Sequence, residues 1–252
     1  MTSKKYIGKA CAYCGREGVS KTADHVLARQ FFLAKDRKNL PKVPACAECN
    51  GLKSKLENYV LTVLPLGSRH RDAKAYSEEN IERRLKRNAA VRSGLSLQHS
   101  GLWERQANGL IVPIMSVDVD QDRIRSLFAF IVKGLFMFHW GVPLNEKWMP
   151  DVTIIIPRAE GLVFSEIIGK MGPNLEIVRG DLGQGTFVYT GTRSLTLKWF
   201  SLWQFTVFGG LQFGNPDMPN QAFTKLSAVT RPDMARAPFS NEEIGLSNAA
   251  AA

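Results

Sequence analysis

Residues 11–50 read CAYCGREGVSKTADHVLARQFFLAKDRKNLPKVPACAECN and contain all four cysteines of the 252-residue chain. The cysteines form two Cys-x2-Cys pairs with 31 residues between them: Cys11 and Cys14, then Cys46 and Cys49. Each pair can present two thiolates from one tight turn, and two such turns complete a tetrahedral sulfur site for zinc. The sequence therefore predicts a structural Zn2+ ion bound by the four cysteines.

The residues next to each cysteine pair predict how the two turns are built. Gly15 follows the first pair and permits a tight turn there. The second pair stands between a strand-like segment, KVPA, and a helix-like segment, AECNGLKSKLENYV, so Cys46 and Cys49 are expected at the start of a helix. Disulfides between these cysteines are not expected in a reducing cytosol.

Polar residues lie between the two cysteine pairs and directly after the second. Asp24 and His25 are adjacent in the segment KTADHVLARQFF, and Asn50 follows the last cysteine. Together with Lys53, this pattern resembles that of the HNH endonucleases over about residues 8–60. In that family an Asp-His pair lies on the first strand of a ββα-metal fold, and Cys-x2-Cys followed by His or Asn begins its helix. The resemblance implies an N-terminal, zinc-stapled ββα-metal (HNH) module.

The chemistry of phosphodiester hydrolysis agrees with this set of residues. The reaction needs an activated water and a cation that offsets charge on the phosphate and the leaving oxygen. A zinc ion with four thiolate ligands is coordinatively closed, so it cannot activate water itself. Asp24 and Asn50 offer the oxygen ligands that Mg2+ or Mn2+ prefers, and we expect them to hold such a catalytic ion. The resemblance makes His25 the general base, a role that suits an imidazole.

The middle asparagine of the family pattern has only an approximate counterpart. Asn39 stands farther from Asn50 than the family spacing requires, and Pro41 occupies the nominal position. Asn39 is therefore either a residue that braces the histidine loop by hydrogen bonds or a surface residue. Basic residues nearby are candidate phosphate contacts, and a solvated face is the alternative for each of them: Arg29, Lys42, Lys53 and Lys55.

Positive charge is concentrated in the first third of the chain. Residues 1–92 hold 20 of the 33 Lys and Arg but 9 of the 23 Asp and Glu, which gives +11 there and −1 in the remainder. Such a surface attracts a polyanion by neutralising phosphates and releasing counterions, and a basic surface that only aids solubility is the alternative. With 44% hydrophobic residues, the chain also has enough apolar material for one or two buried cores.

The rest of the chain predicts a second, α+β unit. Residues 1–62 are assigned to the HNH module, 63–100 to a linker with a basic helix at 78–92, 101–240 to a helix plus antiparallel-sheet domain, and 241–252 to a flexible tail. A helix is expected over 121–139, capped by Asp120 or Asp122, with this apolar stripe: Ile124, Leu127, Phe128, Ile131, Leu135 and Phe138. Strands are expected at 152–156, 175–178, 186–190, 195–200 and 202–208.

Two functions from different classes fit these observations. The first is a metal-dependent endonuclease that nicks or cleaves DNA, for example in restriction or phage defence. The second is a non-catalytic zinc module that binds nucleic acid or a protein partner through its basic face. The C-terminal domain is expected to supply specificity, a protein partner surface or a homodimer contact. We expect a cytoplasmic protein, because no apolar run of signal-peptide length follows MTSKKYIGKA and none reaches the roughly 20 residues of a membrane helix.

Overall fold

The computed structural model describes residues 4–67, 97–105, 109–117, 119–155, 157–210 and 225–232, with the single positions 73 and 86. These residues form both helices and antiparallel sheets, which confirms the predicted α+β class. Most of the predicted basic helix at 78–92 and the whole predicted tail at 241–252 lie outside the described residues. Within the described parts, no helix has the length and apolarity that crossing a bilayer would require.

The cysteine-bearing segment forms a hairpin followed by a helix. Strands β1 (Thr22–His25) and β2 (Lys42–Ala45) pair antiparallel, with His25 opposite Lys42. Helix α1 (Ala47–Val63) begins immediately after β2. Cys46 is the N-cap of this helix, because its Sγ accepts a hydrogen bond from the backbone N–H of Cys49 at 3.4 Å. The predicted start of α1 at the second cysteine pair is thus confirmed.

From residue 97 onward, the described residues form a hairpin, two helices and a five-stranded sheet. Its strands are antiparallel throughout, in the order β5-β9-β8-β7-β6. The elements are β3 (Leu97–Arg105), β4 (Ile111–Val117), α2 (Gln121–Trp140), β5 (Trp148–Ile155), α3 (Pro157–Met171), β6 (Leu175–Leu182), β7 (Phe187–Ser194), β8 (Ser201–Val207) and β9 (Lys225–Pro232).

Helices α2 and α3 cover opposite faces of the five-stranded sheet. Trp203 of β8 packs against Trp140 of α2, with ring centroids 5.3 Å apart. Its neighbour Leu202 belongs instead to a cluster with Phe164 and Met171 of α3. Because successive residues of a strand point to opposite faces, this part of the molecule has three layers.

One apolar core joins the cysteine-bearing segment to the sheet. Phe31, in the loop after β1, is buried with its ring centroid 6.3 Å from that of Phe187 on β7 and 6.1 Å from that of Phe208. Helix α2 closes the same core, because Gly134 lies directly against Val26 and Tyr13. The Tyr59 hydroxyl of α1 also accepts a hydrogen bond, at 2.6 Å, from the backbone N–H of Asp120.

Three expectations about the C-terminal elements are settled by the structure. The helix predicted at 121–139 is confirmed, and Asp120 is its N-cap through a 3.1 Å bond from the Arg123 N–H to Oδ1. Phe138 was wrongly placed in the buried stripe, because it is 46% exposed. The strand predicted at 195–200 is also wrong: these residues form bends and a turn between β7 and β8. The sequence prediction had no counterpart for β3, β4, α3 and β9.

Candidate functional site

The four cysteine side chains meet in one place. Their Sγ atoms all lie within 4.8 Å of one another. Tetrahedral zinc with Zn–S distances of about 2.3 Å holds its sulfurs about 3.8 Å apart, so a small adjustment would bring these thiols to the ligand distance. The donor set therefore fits a metal ion such as zinc. Gly15, with φ of +72°, adopts the left-handed conformation that closes the first turn, as predicted.

Burial acts on the pKa of three of the thiols, and at Cys14 hydrogen bonds oppose it. Burial raises the pKa of the Cys11 and Cys49 thiols. Burial acts in the same direction on Cys14, but hydrogen bonds from the side chain and backbone of Arg16 outweigh it and lower the pKa of Cys14 to about 7. The Arg16 guanidinium also donates to Glu48 at 2.6 Å. Arg16 therefore links the first cysteine turn to the start of α1.

A buried polar network of four residues lies between β1 and α1: Tyr13, Asp24, Lys53 and Glu57. Lys53 Nζ is 3.1 Å from Asp24 Oδ2, donates to the His25 backbone carbonyl at 2.8 Å and forms an ion pair with Glu57. The Tyr13 hydroxyl donates a hydrogen bond to the same oxygen, Asp24 Oδ2. Burial, and after it the charge of Asp24, raise the pKa of Tyr13 well above its usual value. The phenol is therefore a hydrogen-bond donor at neutral pH.

The expectation that Lys53 contacts phosphate is corrected by its position. The Lys53 side chain is 1% exposed, so its ammonium group faces the interior and not a ligand in solvent. A buried ammonium ion requires partners that compensate for lost hydration, and the three acceptors around Nζ provide them. The other candidate phosphate contacts, Arg29, Lys42 and Lys55, are exposed.

Asp24 and Asn50 both face the contact between β1 and α1. Asn50 Nδ2 donates to Thr22 Oγ1 at 3.3 Å. Thr22 and Asp24 are two residues apart on a strand, and therefore share one face of it. Asn50 and Lys53 are three residues apart on α1, and therefore share one side of the helix. The structure thus brings the predicted ligands Asp24 and Asn50 to the same interface.

His25 is the last residue of β1 and is half-buried. Burial, followed by the positive charges of Lys42 and Arg29, lowers the pKa of His25, and the charge of Asp24 opposes them. The imidazole is therefore neutral at pH 7, with two exposed cations beside it. The charges of Asp24 and Lys53 also act on the imidazole, and the His25 backbone carbonyl accepts a hydrogen bond from Lys53 of the buried polar network.

The structure does not support Asn39 as part of this group. Asn39 is exposed in the turn before β2 and has φ of +58°, a left-handed conformation that asparagine tolerates better than most residues. The loop after His25 is braced by the backbone instead, because the Val26 N–H donates to the Pro41 carbonyl at 2.9 Å. Of the two roles left open for Asn39, the surface residue agrees with its position.

Two members of the buried polar network were missed by sequence reasoning. Glu57 stands four residues after Lys53, which is the spacing of an ion pair on one side of a helix. Tyr13 lies between two cysteines, where a single phenol gives no periodic signal. The spacing of Glu57 was a usable clue, whereas the partner of Tyr13 depends on the pairing of distant segments.

Comparisons with family models, with curated proteins and with solved structures found no significant match to this chain.

Proposed function

We propose that residues 8–60 form a metal-dependent HNH-type endonuclease module that hydrolyses phosphodiester bonds in DNA. The observation that carries the proposal is the arrangement of one hairpin and one helix around four clustered thiols. Asp24 and His25 end the first strand, and Asn50 lies in the first turn of the helix. We call Asp24, His25 and Asn50 the candidate active site.

The roles follow from the chemistry of each side chain. Asp24 and Asn50 would hold Mg2+ or Mn2+, for which their oxygen atoms are suitable ligands. When bound, the ion supplies positive charge that stabilises the charge developing on the phosphate and the leaving oxygen. His25 accepts the proton of the attacking water, because its neutral imidazole has a free lone pair.

Charge around His25 supports a phosphate-bearing substrate. Arg29 and Lys42 are exposed and lie close enough to His25 to lower the pKa of its imidazole. Cations at this place would bind the phosphates on either side of the bond that is cut. The net charge of +11 over residues 1–92 would add long-range attraction for a polyanion.

A plasmid-nicking assay tests the proposal. We expect the purified protein to convert supercoiled DNA to open circles with Mg2+ or Mn2+, and His25→Ala to lower the rate by about 10²- to 10⁴-fold, as for loss of a general base. Zinc content and the thermal unfolding midpoint should be unchanged in that variant. Nicking at the wild-type rate by His25→Ala would exclude His25 as the base.

A matched pair of asparagine variants tests the metal ligand. Asn50→Ala should raise the Mn2+ concentration needed for half-maximal nicking, since it removes an oxygen ligand. Asn58→Ala is the control, because Asn58 is an exposed residue two turns farther along α1. An equal effect of the two substitutions would mean that Asn50 acts only through the stability of the helix.

The second candidate function is a non-catalytic zinc module that binds nucleic acid through the same basic surface. The observation that favours it is the engagement of Asp24 Oδ2 by both Lys53 and Tyr13, which gives this carboxylate a structural role without any metal. Under this alternative, the wild-type protein would retard DNA in a gel and leave it uncut with every divalent metal tried.

A further inference from the structure

Lys53 is a buried cation with three oxygen partners around its ammonium group. An ammonium group has three N–H donors. Its partners come from both elements of the module: it donates to the His25 carbonyl at 2.8 Å on β1 and to Glu57 one turn along α1, and it forms an ion pair with Asp24 Oδ2 at 3.1 Å. The Lys53 ammonium group thus connects α1 to Asp24 and His25 at the end of β1.

The two contacts on Asp24 fall on one oxygen. Oδ2 accepts from the Tyr13 hydroxyl and lies within ion-pair distance of Lys53. The hydrogen bond from Tyr13 and the ion pair with Lys53 together restrain Oδ2, and because the carboxylate is planar they restrain the direction of Oδ1 as well. The Asp24 side chain retains 12% exposure, so it is not fully enclosed by the fold.

We infer that Lys53, together with Tyr13, is a positioning residue of the candidate active site, which holds the Asp24 carboxylate in the orientation for binding a divalent cation and anchors the backbone of His25. This inference rests on the proposed nuclease function and deepens it. Under this inference, Lys53 orients the proposed metal ligand Asp24 and does not contact DNA. Lysine suits this place because its compact ammonium group fits where a planar guanidinium would need more room.

Glu57 completes the charge balance of the buried polar network. Burial raises the pKa of Glu57, and so does the charge of Asp24, whereas the Lys53 charge and hydrogen bond lower it. Removal of Lys53 alone would leave two buried carboxylates without a cation, which strongly destabilises a fold. The informative variant therefore removes both charges of the pair.

The test compares the wild type with Lys53→Met/Glu57→Gln. We expect the double variant to retain its zinc and its KM for plasmid DNA, while kcat falls about 10- to 100-fold and Mn2+ binding measured by calorimetry weakens by a similar factor, as for lost partners of metal ligands. The matched control is Lys170→Met/Glu166→Gln on α3, an exposed pair with the same spacing and a 2.7 Å contact. It should leave kcat and Mn2+ affinity unchanged.

The outcomes separate this inference from the proposed function. Wild-type kcat and Mn2+ affinity in the double variant would overturn the positioning role and leave the nuclease standing. A wild-type protein that neither binds Mn2+ nor nicks DNA would overturn both. If the double variant fails to fold, Tyr13→Phe decides, because it removes the donor to Asp24 and keeps the ring that packs 5.2 Å from Phe130. Unchanged kcat and Mn2+ affinity in Tyr13→Phe would then overturn the inference.

Discussion

The imidazole of His139 shows what burial does to a titratable side chain away from the candidate active site. Its Nε2 lies 3.0 Å from the Tyr189 hydroxyl, and its ring centroid is 6.5 Å from that of Trp203. Burial lowers the pKa of His139 below the ordinary value of 6.5, and the charge of Glu176 raises it only in part. The folded protein therefore favours the neutral ring.

This predicts a loss of stability in acid that depends on His139. Well above pH 6.5 the ring is neutral in both the folded and the unfolded chain, so its protonation contributes nothing. As the pH falls through that value, the unfolded chain takes up a proton first, and the free energy of unfolding decreases. His139→Gln should be less sensitive, so the wild type should lose stability relative to it between about pH 7.5 and 5.5 in urea titrations. A constant difference between the two proteins would contradict the prediction.

Lys42 is a candidate phosphate contact beside His25. It is exposed and lies opposite His25 in the hairpin. If it binds phosphate, Lys42→Ala should raise KM for DNA and reduce the slope of log K against log salt concentration by about one. Lys35→Ala, at an exposed position in the loop between β1 and β2, is the control for loss of charge alone. Equal salt slopes in the two variants would assign Lys42 to the general positive field.

Helix α2 packs between the β1–β2 hairpin and the five-stranded sheet, because it contacts Val26 on one side and Trp203 on the other. A Cβ added at Gly134 would lie 2.8 Å from Val26 Cγ1 and 3.0 Å from Val26 Cγ2. Those distances are shorter than ordinary van der Waals contact, so this glycine permits the close approach of α2 to the loop after His25. A glycine in mid-helix otherwise lowers stability relative to alanine.

Two glycine substitutions test this approach. Gly134→Ala should destabilise the protein by about 1–3 kcal/mol, because the extra methyl group overfills a packed contact. Gly169→Ala on α3 should stabilise it by up to about 1 kcal/mol, since an added Cβ there meets no atom within 4 Å. Denaturant titration of both variants gives the comparison. Stabilisation by Gly134→Ala would mean that the contact is loose.

How well the sequence predicted each element depended on where its signal lay. Helix α2 has a regular apolar stripe and a capping aspartate, and both were readable. Strand β9 lies inside the sheet but contains the polar residues Ser227 and Thr230, so its sequence lacks the apolar signal of an interior strand. The Thr230 hydroxyl is satisfied only by folding: Oγ1 accepts from the Ser201 N–H at 2.7 Å and donates to the Trp199 carbonyl at 2.6 Å. Helix α3 contains Gly161 and Gly169, which weaken a helical pattern.

The candidate active site was predictable in its residue types and less so in its burial. The cysteine spacing was sufficient to predict the thiol cluster, because two Cys-x2-Cys pairs in one short segment are typical of a single tetrahedral site. The sequence predicts a surface cation at Lys53, because it does not reveal that Asp24 and the His25 carbonyl meet the ammonium group. The burial of Lys53 depends on the packing of α1 against β1, whose contacting residues are 28 positions apart in the sequence.

The proposed nuclease module and the five-stranded sheet are built around one apolar core. Phe31 and Phe32 follow the Asp-His pair by a few residues, and both are buried. Phe32 packs at the turn between β6 and β7, where a Cβ on Gly183 would come within 2.7 Å of its ring. The loop that continues from His25 therefore depends on the C-terminal sheet for its conformation.

A matched pair of phenylalanine variants measures this dependence. Phe31→Ala should lower the free energy of unfolding by about 3–5 kcal/mol, whereas Phe138→Ala should change it by less than about 0.5 kcal/mol. The two residues differ in exposure, at 1% and 46%. Tryptophan fluorescence and zinc release should follow one transition in the wild type. Zinc released well before the fluorescence change would show that the module unfolds on its own.

The contact between Phe31 and Phe187 also limits how this chain could be truncated in protein engineering. A fragment that ended after α1 would expose the side chains of Phe31 and Phe32 to water. Exposed apolar surface of this kind promotes self-association. A graft intended to work in another host protein would therefore have to bring α2 and the β6–β7 hairpin with it, or replace both phenylalanines with polar side chains.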